Sequence, residues 1–533
     1  MSSGVRRLAP GTLDEWLPPS ILAAGFLARL YLAHLTFLNP DECLHYLLAV
    51  QLSLVDVYKA TLTTAHPPLL IFLLYYWRGL GHSELVLRLP SVLAGTASCW
   101  FAFKWLENVA GRRTGTIGLF LLAFSPSLID LSAEVRQYSL LLFFMAAALF
   151  LFDRAMACNS PRGMMLFSLA LYGALLSHYS SLVFALSIGL YAVVRFFREE
   201  RQVKVLAVWL AGQAAALALC GWLFISHIAR VRSLGMPQEI ADTWLRKSIF
   251  HAGEDSLLPF VLRETIRLFR YLFGNGLVGA LGLCLGLAGV VWLLRNRRTL
   301  PQDSRLLALL LTLPFLITAM VSVAGFYPYG GTRHDVFLAL FAIAAAAVGM
   351  AAWTPPRWWM TPLLLTVAVG IANWSPSPGG PYIRPRDQAR GQMQQALLFV
   401  RPQPGRDSVI FTDYQSGLLL SYYLCGRSIV QFEGPFQPFQ DATCGQTRIV
   451  VWQSPDWMFH AEEFPRILRD AEPAFALSGK RVMLFQAGWT VNAEPDFRQL
   501  LQHYGCPAPA NFGNNILACE ITVSGAAGDT TRH

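Results

Sequence analysis

Two carboxylates stand side by side in Asn39-Pro40-Asp41-Glu42, just after the first long apolar run. Adjacent acids at a membrane boundary are costly unless solvated or used. Either one of them takes a proton from a substrate, or the pair caps a helix starting at Glu42, Asp being a good N-cap residue. His66-Pro67-Pro68 opens the next apolar stretch. The proline pair fixes the entry geometry and the imidazole suits an anion, or this is a turn with an incidental histidine. In SPSLIDLSAEVRQYSL (125–140), Asp130 and Glu134 are spaced to share a helix face, and Arg136 and Tyr138 follow. That set suits a phosphate; alternatively Arg136 snorkels and pairs with Glu134. FYPYGGTRHD (326–335) brings Tyr327, Tyr329, Arg333, His334 and Asp335 together with Gly330-Gly331. The glycine pair permits close backbone approach to a ligand, and Arg plus His again suits an anion.

These four groups need elements to position them. Of 533 residues, 54% are hydrophobic and only 14% charged, with mean hydropathy +0.43. A soluble globular chain carries about 25% charged residues. The composition excludes cytosolic enzymes, disordered chains and fibres, and gives an all-α polytopic membrane protein. Apolar runs predict about eleven spans near 17–38, 86–106, 115–132, 138–156, 164–178, 180–197, 204–226, 273–294, 305–324, 335–353 and 357–374. The first is expected to be retained, because no small-residue cleavage site of the A-x-A kind occurs in the first 38 residues.

The formal charge of +9 comes largely from Arg between apolar runs and implies no nucleic acid. Arg6/Arg7, Arg112/Arg113, Arg154/Arg162, Arg195 to Lys204, Arg295/Arg297/Arg298 and Arg357 recur at every second loop. Positive-inside places these in the cytoplasm. Loops 39–85, 133–137, 178–180, 227–272 and 325–334, and everything after about 375, then face outward. All four groups share that outer face. The stretch His66–Gly81 holds about a dozen apolar residues before Arg78, short for a span, and is expected to lie at the outer surface. Arg263, Arg267 and Arg270 in the loop 227–272 read as an interfacial basic helix in contact with anionic lipid.

Three segments follow: a membrane domain over 1–374, a Pro/Gly linker over 375–390 and a small extracytoplasmic α/β domain over 391–533. In the last, strand-like SVIFTD, RIVVW, RVMLFQ and ILACEITV alternate with helix-like pieces. It carries Cys425, Cys444, Cys506 and Cys519. Four cysteines allow three pairings, of which Cys425–Cys444 with Cys506–Cys519 is one, or all four are reduced core residues.

Asn39–Glu42, then HPPLLIFLLYYWRGLGHSELVLRLPSVLAG, the GRR turn and LLAFSPSLIDLSAEVRQYSLLL together resemble the GT-C superfamily. Within it the chain is similar to the protein-mannosyltransferase-like branch of glycosyltransferase family 39, with a layout like that of the lipid A aminoarabinose transferase. The resemblance covers about residues 39–160 and is weaker at Arg333-His334. It implies a catalytic site of Asp41, as base, and Glu42, which would position substrate or hold a counter-charge. It implies substrate contacts from His66, Glu134, Arg136 and Tyr138, facing the phosphate or sugar. Arg333 and His334 extend that set. Two departures matter. Lipid A transferases carry Lys at the position of His66, so that substrate is not implied. The tail does not resemble the MIR domains of eukaryotic protein mannosyltransferases.

The implied partners are a polyprenyl-phosphate sugar donor, a glycan, lipid or protein acceptor, and the bilayer. The implied place is the outer face of a bacterial inner membrane. No cofactor is expected. No catalytic metal is expected either, since Arg neutralises a monophosphate leaving group and no Asp-x-Asp stands in an outer membrane loop. A polysaccharide polymerase or ligase acting on lipid-linked glycans is the alternative enzyme. A transporter or lipid flippase is the alternative of another class, and would need ionisable groups near the bilayer midplane.

Overall fold

The computed structural model describes residues 11–199, 202–233, 245–296, 300–301, 303–355, 389–401, 408–432, 437–453, 457–489, 495–513 and 516–523. The expected span 357–374, the linker up to 388 and Arg6, Arg7, Arg297, Arg298 and Arg357 lie outside these residues. The chain divides into two compact units. One comprises Met1–Ala33, Thr64–Leu70 and Arg88–Ile383; the other comprises His34–Thr63, Ile71–Leu87 and Arg384–His533.

The first unit is helical. Its elements include α1 (Gly11–Leu35), α5 (Glu84–Ala110), α6 (Arg112–Ala123), α7 (Pro126–Ser132), α8 (Tyr138–Ala157), α9 (Pro161–Ser177), α10 (Ser181–Arg198) and α11 (Val203–Leu223). Helices Leu257–Phe273, Gly276–Arg295, Ser304–Val323 and Ala339–Trp353 follow. Among the described residues eight helices are long and apolar enough to cross a membrane, or nine if a bent pair counts as one span. Eleven were expected. The run 164–178 forms α9, of only 17 residues. The run 115–132 breaks into α6 and α7, bent by 60°. Pro126 explains the break: it disfavours helical geometry at the preceding residue, and Ser125 is extended (ψ 120°).

That break strands carbonyls at the end of α6 in an apolar interior. Arg29 of α1, 1% exposed, donates to Ala123 O at 2.8 Å, Leu122 O at 3.2 Å and Gly25 O at 2.9 Å. Arg88 of α5, also buried, donates to Ala33 O at 2.8 Å. These cations within apolar runs went unread in the sequence. Arg29 also donates to Ser132 Oγ at 3.3 Å and Cys99 Sγ at 3.5 Å, and its bonds to Leu122 O and Ala123 O satisfy carbonyls that a helix end leaves open.

The helix Leu257–Phe273 corrects the reading of the glycine pair and adds a partner to two of the basic residues. Arg263 and Arg267 both pair with Glu264, which is fully buried, at 2.9 and 3.0 Å. Arg263 and Arg270 nonetheless remain exposed on this helix, as do Leu257, Leu258, Leu262 and Ile266. The glycine pair serves this helix too. A Cβ on Gly330 (φ +142°) would stand 2.2 Å from Glu264 Oε2, and one on Gly331 would stand 2.4 Å from Arg267 O. The close approach is to a helix. Gly330→Ala therefore meets both strain and overlap and is expected to cost at least about 2 kcal/mol, read as a lower Tm of the purified protein.

The second unit holds α2 (Pro40–Ala49), α3 (Leu54–Thr61), the end of α4 (Leu69–Trp77) and a mixed sheet. With Arg78–Leu80, α4 makes an apolar helix of 12 residues, too short to span, as its composition implied. The strands are β1 (Ser408–Asp413), β2 (Phe439–Cys444), β3 (Thr447–Trp452), β4 (Arg481–Ala487), β5 (Ala510–Asn511) and β6 (Ile516–Thr522), in the order β2-β3-β1-β4-β6-β5. β1 runs parallel to β3 and β4, and the outer pairs are antiparallel. All four strand-like sequences are strands. The polar β2 gave no such signal and is fixed by pairing with β3. The cysteines pair Cys425–Cys444 and Cys506–Cys519, with Cα separations of 5.1 and 6.2 Å, ordinary for disulfides.

Candidate active site

Asp41 and Glu42 belong to the second unit. The helix they open starts at Pro40, and its cap is Asn39 rather than Asp41. Pro suits the first helical position because its fixed φ and missing N–H cost nothing there. Asn39 Oδ1 accepts from Glu42 N at 3.0 Å, and Glu42 Oε2 accepts from Asn39 N at 2.9 Å, a complete capping box. Of the two acids, then, Glu42 does the capping. Asp41, at the second helical position and 9% exposed, sits at the positive end of the helix, which favours its carboxylate. His45, one turn further along α2, is buried and went unread in the sequence.

The C-terminal sheet region holds this turn in place. Leu38 N donates to Tyr423 Oη at 2.9 Å; Tyr423 Oη donates to Glu84, whose Oε2 pairs with Arg390 Nε at 2.8 Å. Burial pushes the Tyr423 hydroxyl well above its ordinary range, and Glu84 adds to that. A Cβ on Gly488 (φ +146°) would lie 2.5 Å from Gln415 Oε1 and 2.9 Å from Pro40 Cγ. Gly488→Ala therefore pushes on the residue next to Asp41. A misplacement of about 1 Å costs on the order of 10²-fold, and a fall in turnover of that size, with donor binding kept, is the expected outcome in a steady-state assay.

The first unit gathers the other residues. α7 ends at Ser132, so Glu134 stands in an irregular turn and shares no helix with Asp130. Arg136 is 2% exposed and does not snorkel. Its guanidinium lies 5.5 Å from the Tyr138 ring centre, and Nη2 is 3.5 Å from Tyr138 Oη. Two imidazoles lie against that tyrosine, and a third lies against one of them. His178 lies 5.3 Å from the Tyr138 ring, His334 6.3 Å from it, and His178 is 5.5 Å from His66 and 6.0 Å from His334, all between ring centres. Tyr327 donates to His334 O at 3.0 Å, whereas Tyr329 is bonded to Thr265 at 2.6 Å and belongs to the packing.

His178 was missed. It occupies the short loop between α9 and α10, and Ser177-His178-Tyr179-Ser180 was the available signal: a polar turn between two apolar runs. Its ring nitrogens are distinguished by the backbone. Ser180 N donates to His178 Nδ1 at 3.2 Å, so Nδ1 is the acceptor and the neutral ring carries its proton on Nε2. Burial, with Arg136 and Arg333 nearby, lowers its pKa to about 3. Tyr271 is held well above its ordinary value by burial first, then by Asp130, Tyr138 and Glu134, with Arg333 opposing. One patch of this unit thus joins His66, Arg136, Tyr138, His178, Arg333 and His334, bordered by Glu134 and Asp130. Fixed cations and a neutral N–H donor form a set suited to an anionic oxygen cluster such as a phosphomonoester.

Residues 65–224 match the family described as dolichyl-phosphate-mannose-protein mannosyltransferase. No curated protein sequence matches the chain. Among solved structures, ArnT from Cupriavidus metallidurans in the apo state is 13% identical, with a TM-score of 0.56 over 95% of this chain and 98% of that one. The same protein bound to undecaprenyl phosphate is 12% identical, with a TM-score of 0.53 over 96% and 99%. The oligosaccharyltransferase of Archaeoglobus fulgidus is 15% identical at a TM-score of 0.45; the match covers 78% of this chain and spans only 62% of that one. In sequence over residues 65–224, and in fold over nearly its whole length, the chain is similar to the GT-C membrane glycosyltransferases.

Proposed function

We propose that the protein is a membrane glycosyltransferase that moves a sugar from a polyprenyl-phosphate donor to an acceptor hydroxyl on the outer face of the inner membrane. The observation that carries this reading is one cluster in which Arg136, His178 and His334 lie against Tyr138, His66 lies against His178 and the Arg333 charge acts on His178, within the stretch that matches the mannosyltransferase family or packed against it. ArnT, whose fold is similar, has been solved with undecaprenyl phosphate, a ligand of this class.

In this mechanism Asp41 removes the proton of the acceptor hydroxyl as its oxygen attacks the anomeric carbon. The bond from that carbon to the phosphate oxygen breaks, and the phosphomonoester leaves with increased negative charge. His66, Arg136 and Arg333 bind that phosphate and stabilise the charge where it develops. Tyr138 and His334 make further contacts, and Glu134 borders the sugar or phosphate. Glu42 holds the turn that carries Asp41. A single displacement inverts the anomeric configuration. The C-terminal sheet region lies on the periplasmic side in this reading.

The test is mass spectrometry of envelope glycans and glycoproteins with and without the gene. One class is expected to lose a fixed sugar mass. Identical spectra, together with no release of undecaprenyl phosphate from a sugar-loaded donor by the purified protein, would remove the reading.

A further inference from the structure

The second unit contains a cavity of about 990 Å³ that none of the assigned residues occupies. Its walls come from the end of α2, the end of α4, and residues 390–394 and 422–426. Five tyrosines line it: Tyr46, Tyr75, Tyr76, Tyr422 and Tyr423. Several hold one another rigidly. Tyr46 Oη lies 3.2 Å from His82 Nδ1, Tyr422 donates to His82 O at 2.6 Å, and the Tyr46 and Tyr422 rings meet edge to face at 5.3 Å.

The two cations of the wall are already engaged. Arg78 donates to Ala49 O at 2.9 Å and Gln51 O at 3.2 Å, closing the end of α2, and stacks 4.5 Å above Tyr75. Arg390 is paired with Glu84. This is a weak anion site. Val50 and Met393 are the aliphatic side chains of the wall, so it is a poor lipid site as well. What faces the space is aromatic surface beside hydrogen-bonding groups. Among the described residues the hydroxyls of Tyr75 and Tyr76, the terminal nitrogens of Arg390 and the amide of Gln394 have no bonded partner.

A sugar ring presents the matching chemistry: an apolar C–H face bordered by hydroxyls that both donate and accept. Ligand sites of this kind run to about 300–1,000 Å³, with a few fixed polar groups setting orientation. We propose that this cavity binds a saccharide, its C–H face on Tyr75 or Tyr76 and its hydroxyls on Gln394 and Arg390. Assigning that saccharide to the acceptor rests on the glycosyltransferase reading; the binding itself does not.

The experiment uses the full chain in lipid nanodiscs and saturation-transfer NMR, with N-acetylglucosamine, mannose and galacturonic acid as probes at millimolar concentration. At least one probe is expected to receive saturation from the protein. Tyr76 is 66% exposed and Gln394 is exposed, so Tyr76→Ala and Gln394→Ala should leave the fold intact. Each is expected to weaken that probe by roughly 2- to 13-fold, the loss of one stacking or hydrogen-bonding contact. Absence of transfer to all three probes overturns the proposal, as does equal affinity in both variants. Undecaprenyl phosphate binding, measured in parallel, reports on the donor reading alone. If it is absent while the saccharide signal responds to Tyr76→Ala, the donor reading falls and this one stands.

Discussion

Asp41→Asn is expected to leave a folded, inserted protein that binds undecaprenyl phosphate normally and transfers sugar about 10²–10⁴-fold more slowly, the usual contribution of a positioned general base. The side chains are nearly isosteric. The capping box uses Asn39 and Glu42 and is untouched. Only the favourable placement of a carboxylate at the start of α2 is lost, about 0.3–1 kcal/mol, so the Tm moves little. Glu42→Gln separates the two acids. Its amide oxygen still caps, so a smaller effect is expected from a residue whose work is structural. Turnover is measured as undecaprenyl phosphate released from sugar-loaded donor. Full turnover by Asp41→Asn would take Asp41 out of the mechanism.

The second large effect concerns the donor site. Arg136→Gln removes a charge-assisted contact, usually about 1.5–3 kcal/mol, and is expected to weaken undecaprenyl phosphate binding roughly 10- to 150-fold. His178→Ala removes a neutral donor and should cost roughly 2- to 13-fold, while His178→Gln, which retains a terminal N–H, should recover most of that. With its pKa lowered to about 3 from the ordinary 6.5 of a histidine, His178 stays neutral in the folded protein at the pH of assay. The unfolded chain takes up that proton below about pH 6.5, so the contribution of His178 to stability is complete above that pH and is lost as pH falls toward 3. His178→Gln should flatten the corresponding part of the Tm profile. Equal donor affinity in Arg136→Gln and the parent would place the phosphate elsewhere.

Much of this fold was legible. Long apolar runs are forced into helices because a backbone in lipid must satisfy its own polar groups, and the strands of the C-terminal region announce themselves by β-branched and aromatic alternation. What could not be read depended on partners distant in sequence. Nothing near Gly330 reveals that Glu264 will fill the space its missing side chain leaves. β2 is polar and acquires its conformation from β3. Arg29 lies within an apolar run, and its destination is a helix end 94 residues away. The site was legible where several reactive residue types fell within a few positions, as at Glu134-Val135-Arg136-Gln137-Tyr138. It was not legible at His178, a single histidine in a three-residue loop, whose role depends on which nitrogen faces the main chain.

Arg29 also bears on biogenesis. When α1 leaves the ribosome, the oxygen atoms of residues 122 and 123 that will receive its guanidinium have not yet been synthesised. The N-terminal segment therefore enters the translocation machinery with a cation that lacks the acceptors of residues 122 and 123, and a cation at mid-bilayer carries a penalty of about 2.5–3.5 kcal/mol on insertion scales. It has reason to linger in a protein-lined passage until the bent pair arrives, so that α1, α5 and the pair α6–α7 are released into lipid as a group and not one by one.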